Sequence, residues 1–320
     1  MLKKLFSPLL YAINFKRMVK RAEQGDLNEQ NKLGDMYYLG SYVSQDYEKA
    51  LYWYTKSAEQ GYLPAQAHLG EMYEYGYGTL IDDVKAAYWY TKAAKRGENT
   101  AQNSLGWMYE TGKGVEQDYA LAADWYYKAA AKGAADAQYN LGTMYEAGKG
   151  VAQDPRQAFE WYKKSAEQGY APAQTSLGRM FAEGYGVLQD IRQAMSWYQK
   201  AAEEGYAVAQ SRLGDIYETK KDTAKAIYWY RSAAEIGDSS AQTKLGLMYS
   251  FGQNLPKNPI IAYALLEMAV SNGNETAKDI YDAIAKGLIP AQIEQAKILV
   301  NELDKLWALI DSTLDEKMKQ

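Results

Sequence analysis

Between Ala65 and Gly76 the sequence reads AQAHLGEMYEYG, and Ala65, Leu69, Met72, Tyr73 and Gly76 fall at helical spacing. That spacing gathers the apolar and small positions on one helix face and leaves polar residues on the other. A second kind of segment, DYEKALYWYTKSAEQG over Asp46–Gly61, opens on an acidic residue, runs through an apolar face and stops on glycine. The two kinds alternate along the chain. Leu-Gly recurs with its glycine at Gly34, Gly70, Gly106, Gly142, Gly178, Gly214 and Gly246, in steps of 36 residues and a last step of 32. Trp-Tyr recurs at Trp53, Trp89, Trp125, Trp161, Trp197 and Trp229. A third row, Gly25 to Gly273, closes the second segment, where glycine takes a left-handed conformation at little cost. Asp46, Asp82, Asp118, Asp154, Asp190, Asp222 and Asn258 open it, as N-caps whose side-chain oxygens accept unpaired backbone N–H groups. Proline follows at Pro155 and Pro259, the position a helix start favours. The pattern predicts a helical hairpin repeated seven times.

The 320-residue length alone suggests about two domains, but only Gly287 of the 26 glycines lies off the period, so the chain reads as one array. A net charge of −4 gives no chain-wide field for nucleic-acid phosphates. Without cysteine there is no thiolate nucleophile or metal site, and a single histidine, His68, rules out a multi-histidine one. No cofactor and no metal is expected, and no carboxylate pair stands apart from the repeat rows as a catalytic constellation. No stretch of about 18 apolar residues reads as a membrane span. At the start, Lys3 and Lys4 before LFSPLLYAI imitate a signal peptide, yet no small-x-small cleavage site follows. The expectation is an amphipathic capping helix over 1–25 with Lys16, Arg17, Lys20 and Arg21 on its wet side, in a cytoplasmic protein. A working signal would instead make it periplasmic or secreted.

The consensus AQ-x-x-LG-x-MY-x-x-G-x-G-V-x-x-D…A-x-x-WY-x-KAA-x-x-G resembles the Sel1-like repeat, a bacterial relative of the tetratricopeptide class. The resemblance implies an all-α fold, an α-solenoid wound as a right-handed superhelix of helix-turn-helix repeats, with a C-terminal capping helix. Seven repeats then span 26–273, and 274–320 holds a degenerate last copy and a long amphipathic helix. Repeat six lacks four residues, and repeat one has Glu29-Gln30 where Ala-Gln is usual. The resemblance also implies a non-catalytic scaffold or adaptor that binds a protein or peptide. Two other readings stand beside it: an immunity protein against a secreted toxin or a secretion-system assembly factor, and a hydrolase using Asp/Glu pairs.

Against this period the glycine turns lose their chemistry. Gly112-Lys113-Gly114 imitates a phosphate loop, but it leaves a helix, no Ser or Thr follows the lysine, and tyrosine replaces that lysine at Tyr77 and Tyr185. The aromatic rows, Trp125 among them, are expected in the core. What varies is a stripe on the first helices, expected on the concave face: His68, Glu71 and Tyr75 in repeat two, Trp107 in repeat three, Arg179 in repeat five and Asp215 in repeat six. Trp107 stands out as a partner anchor, with packing against a neighbouring repeat as the plainer alternative. Glu110 belongs to an acidic row with Glu74, Glu146 and Glu218, read as solvated or as facing a cationic partner. After Pro290, Ile293, Ala296, Val300, Leu303, Trp307, Ile310 and Leu314 keep a heptad spacing. That stripe predicts a cap on the last repeat in a monomer, or else a helix offered to a partner or a second copy.

Overall fold

The computed structural model describes residues 14–318. The signal-like stretch from Lys3 lies outside them, as does the side chain of Leu314. Residues 14–23 are helical, with Lys16, Arg17, Lys20 and Arg21 exposed and Ala22 buried. The first helices of the seven hairpins are Leu27–Leu39, Leu63–Tyr75, Asn99–Thr111, Ala135–Ala147, Ala171–Glu183, Ala207–Thr219 and Ser239–Phe251. The second helices are Tyr47–Glu59, Asp83–Ala94, Tyr119–Ala130, Pro155–Glu167, Ile191–Glu203, Thr223–Glu235 and Pro259–Ser271. Glu275–Ala285, Pro290–Asn301 and Leu303–Met318 complete the chain. Every regular element among the described residues is helical, and the fold is an α-solenoid of helical hairpins. None of these helices is long and apolar enough to cross a membrane.

The N-cap row works as its chemistry requires. Asp118 accepts from the backbone N–H groups of Ala120 and Leu121 at 2.9 Å each, and Asn258 does the same for Ile260 and Ile261. The glutamine of the Ala-Gln pair has a role that spacing alone does not disclose. Its buried amide donates to the carbonyl oxygen eight residues earlier in every repeat, from Gln30 to Ala22 at 2.9 Å through Gln242 to Ala234 at 3.0 Å. Each first helix is thereby tied to the end of the helix before it, and a buried carbonyl is satisfied. Repeat one shares this bond through Gln30, so its unusual Glu29 does not weaken the join. The Gly-x-Gly turn is equally structural. Gly114 has φ of 69°, and a Cβ there would lie 2.0 Å from the Asp83 carbonyl oxygen of the preceding repeat.

The structure divides into two compact units that part after Ser165, inside the second helix of repeat four. The 36-residue period runs through that division. Because each repeat touches only its neighbours, compactness is local in such an array and need not follow the period. The first unit holds apolar clusters around Tyr54, Tyr90 and Tyr126, and the second holds clusters around Tyr198 and Tyr230.

Two expectations change. The tryptophans of the Trp-Tyr rows are not uniformly core: Tyr126 is fully buried, while Trp125 is half-buried with Lys128 Nζ 3.9 Å from its ring centroid. The long C-terminal helix is broken at Glu302, where φ is −119° and ψ is 66°. The break lets Leu306, Trp307 and Ile310 turn into the cluster that already holds Tyr230, Tyr249 and Leu265. Ala296 and Leu299 reach the same cluster from the preceding helix.

Candidate functional site

Site geometry starts from the tyrosine of each Trp-Tyr pair. Its ring lies flat over the Leu-Gly glycine, and a Cβ at Gly70 would meet Tyr90 Cδ1 at 2.6 Å. That seat delivers the hydroxyl to the first helix of the same repeat. Tyr90 donates to Glu74 at 2.7 Å, Tyr126 to Glu110 at 2.8 Å, Tyr162 to Glu146 at 2.7 Å and Tyr230 to Glu218 at 2.8 Å. In repeat one Tyr38 stands at the glutamate position, and Tyr54 donates instead to Asp35 at 2.8 Å. The acidic row is therefore a set of acceptors for buried hydroxyls, a role that the sequence reading of Glu110 did not include. A charged acceptor makes the stronger kind of hydrogen bond. Burial and the facing carboxylates push the phenols of Tyr54, Tyr90, Tyr126 and Tyr230 well above the ordinary tyrosine range.

Around His68 these bonds join into a chain. The imidazole stacks on the Tyr54 ring at 4.8 Å, with Nε2 3.6 Å from Asp35 and Nδ1 3.9 Å from Glu71. Glu71 also accepts from the Tyr38 hydroxyl at 2.9 Å. Its carboxyl is held below the usual glutamate range, first by His68 and then by that hydroxyl bond.

His68, Glu71, Tyr75 and Trp107 line one groove of about 940 Å³ between the first helices of repeats two and three, in the first compact unit. Tyr75 is 56% exposed on its wall. Trp107 is half-buried: it packs against one apolar cluster of repeats two and three and another of repeats three and four, and Lys113 Nζ sits 4.8 Å from its ring centroid. Trp107 thus packs against neighbouring repeats, as the plainer sequence reading has it, and also lines the groove. Glu74 and Glu98 join Glu71 in the lining, and Lys113 is the one Lys or Arg there, so carboxylates outnumber cationic side chains. Asn103 and Asn140 add amides, linked to each other at 3.0 Å and to Asp136 at 2.8 Å. Arg179 and Asp215 belong to the second unit. Arg179 pairs with Glu183 at 3.1 Å, and Asp215 accepts from Tyr230 at 2.9 Å and pairs with Lys244.

These features agree with the comparisons. The Sel1 repeat family matches at residues 30–62, 63–98, 99–133, 135–170, 171–206, 207–238 and 239–274. A Sel1 repeat protein from Oxalobacter formigenes superposes with a TM-score of 0.68 at 34% identity, covering 86% of this chain and 80% of that one. The c5321 protein, a protective antigen present in uropathogenic Escherichia coli strains, superposes at 0.61 and 32% identity, covering 93% of this chain and 74% of its own. The immunity protein Pa5087 from Pseudomonas aeruginosa reaches a TM-score of 0.42 at 25% identity over 67% and 81%, and carries no argument at that level. No protein of curated function matches. Seven matched repeats, all with the glycine, glutamine and cap rows described above and six with the tyrosine, place this chain in the Sel1 repeat family.

Proposed function

We propose that this chain is a non-catalytic interaction module that holds a segment of another protein in the groove between repeats two and three. The observation that carries the reading is Trp107, whose ring is fixed from behind by two repeat cores and opens in front onto the groove. A rigid aromatic anchor flanked by Tyr75 and carboxylates is the composition of an interface hot spot. The acidic lining suits a partner that brings a basic residue beside an apolar one.

A pull-down from the source organism with mass spectrometry would identify the partner. The decisive step is its affinity for Trp107→Ala and Tyr75→Ala. Each variant is expected to weaken binding about 30-fold, the equivalent of a 2 kcal/mol hot spot, with the far-ultraviolet spectrum unchanged. Tyr75→Ala guards the test, because that side chain is exposed and its loss leaves the repeat cores intact. Wild-type affinity in both variants would remove the groove from the reading. Capture of a secreted toxin would narrow the role to an immunity protein, one of the roles the family resemblance admits.

A further inference from the structure

The tyrosine row has one member that its own repeat does not serve. Carboxylates reach the tyrosine hydroxyl from two first-helix positions: one after the Leu-Gly glycine (Asp35, Asp215), and four after it (Glu74, Glu110, Glu146, Glu218). Repeat seven gives up both sides of the bond, with Leu266 for the tyrosine and Ser250 for the glutamate. Repeat five keeps Tyr198 and has Arg179 and Ala182 at the two acceptor positions. Tyr198 is 2% exposed and sits over Gly178 as its counterparts do, where a Cβ would meet Cδ1 at 2.8 Å. Its hydroxyl is thus delivered to a place from which the glutamate side chain has been removed.

The position two residues before each Leu-Gly glycine faces the tyrosine of the preceding repeat. His68 stacks on Tyr54 at 4.8 Å, and Lys244 Nζ stands 3.1 Å from the Tyr230 hydroxyl. Arg212 holds this place beside Tyr198. Arg179 and Arg212 both act electrostatically on Tyr198, with 30% of the Arg179 side chain and 53% of the Arg212 side chain exposed. Glu183 pairs with Arg179 at 3.1 Å and Asp215 with Arg212 at 3.4 Å. Burial pushes the Tyr198 phenol up to about 12; Arg212 and Arg179 pull against that rise, while Glu183 and Asp215 add to it.

We propose that Tyr198, Arg179 and Arg212 form a receptor for a carboxylate supplied by a binding partner, occupying the space that glutamate fills in four other repeats. A planar carboxylate can accept a hydrogen bond from the hydroxyl on one oxygen and from a guanidinium N–H on the other. The site lies in the second compact unit on residues the groove does not use, so it stands or falls independently of the groove.

The test titrates the intact protein, labelled with ¹³C-methyl methionine, and follows Met180 and Met195 on two of the three helices that carry the site. Three probes are compared: N-acetyl-aspartate amide, N-acetylglycine and N-acetyl-asparagine amide. Saturable shifts are expected with the first, the second or both, in the millimolar range of a single charged contact, and none with the asparagine probe. The better of the two carboxylates tells whether the receptor prefers an acidic side chain or a chain end. Ala182→Glu should abolish the shifts by supplying the consensus carboxylate from within, and Arg212→Ala should weaken binding at least tenfold. Equal response to the asparagine probe, no response to either carboxylate, or undiminished binding in either variant would overturn the proposal. So would saturation that arises only in Glu183→Gln, since Glu183 would then be the occupant.

Discussion

A hydrogen at Gly106 decides whether Tyr126 can lie where it does. A Cβ would meet the ring at 2.7 Å, and the atom it meets belongs to a fully buried side chain with no room to retreat. Gly106→Ala is therefore expected to destabilise the protein by about 1–3 kcal/mol through overpacking, despite alanine's better helix propensity. Urea unfolding monitored by circular dichroism measures it, and a stability equal to wild type would mean the ring is not seated on the glycine. The Leu-Gly row was legible in the sequence as a recurrence. The acidic row was legible as a row, but its partner was not. Glu110 and Tyr126 are 16 residues apart, and a period of 36 reveals which positions recur without revealing which of them meet across a hairpin. Gln102 was hidden for the same reason: an amide inside an apolar consensus announces burial, while its acceptor is a backbone carbonyl that no side-chain pattern records.

Neighbouring positions on one helix face different surroundings, because each residue turns the face by about 100°. Trp125 and Tyr126 show the consequence. The sequence puts both in the core, since both belong to a fixed aromatic row, yet only the tyrosine is enclosed by its own hairpin. The tryptophan lies between repeats, with Lys128 over its outer face, as Lys164 covers Trp161 and Lys200 covers Trp197. Tyr126→Ala is expected to cost about 3–5 kcal/mol, as large buried aromatics do, and Trp125→Ala about 2 kcal/mol, in the ordinary range for a partly exposed contact. Thermal unfolding of the two variants side by side checks the order, and a larger loss at Trp125 would reverse the assignment of which aromatic is core. The first-helix stripe was legible to a similar depth. Its irregular residues picked out His68, Glu71, Tyr75 and Trp107, which meet in one groove. The stripe also included Asp215, which the fold commits to Tyr230 and Lys244.

At the scale of the whole chain, an array of repeats ends in an open apolar face unless something closes it. Here the closing pieces are the helices after Pro290, and the break between them was invisible to a heptad count. Apolar residues keep their three- and four-residue spacing on both sides of Glu302, so periodicity reads one helix where the backbone makes two. The break has an energetic consequence. It buries Leu306, Trp307 and Ile310 against the end of the array, and it brings Asp311 to Arg231 as a bidentate pair at 2.7 and 2.8 Å. The apolar stripe that resembled an oligomerisation helix is thus largely consumed within the chain. Among its members with described side chains, Leu303 alone is exposed. Full-length protein is expected to run as a monomer in size-exclusion chromatography with light scattering. Truncation after Asn301 should uncover the cluster around Tyr230 and Leu265, lower the melting temperature and produce concentration-dependent association. Arg231→Ala in the full chain should lower the melting temperature less and leave the monomer intact, because the apolar contacts remain. A full-length dimer that truncation converts to monomer would show instead that the last helix serves a second copy.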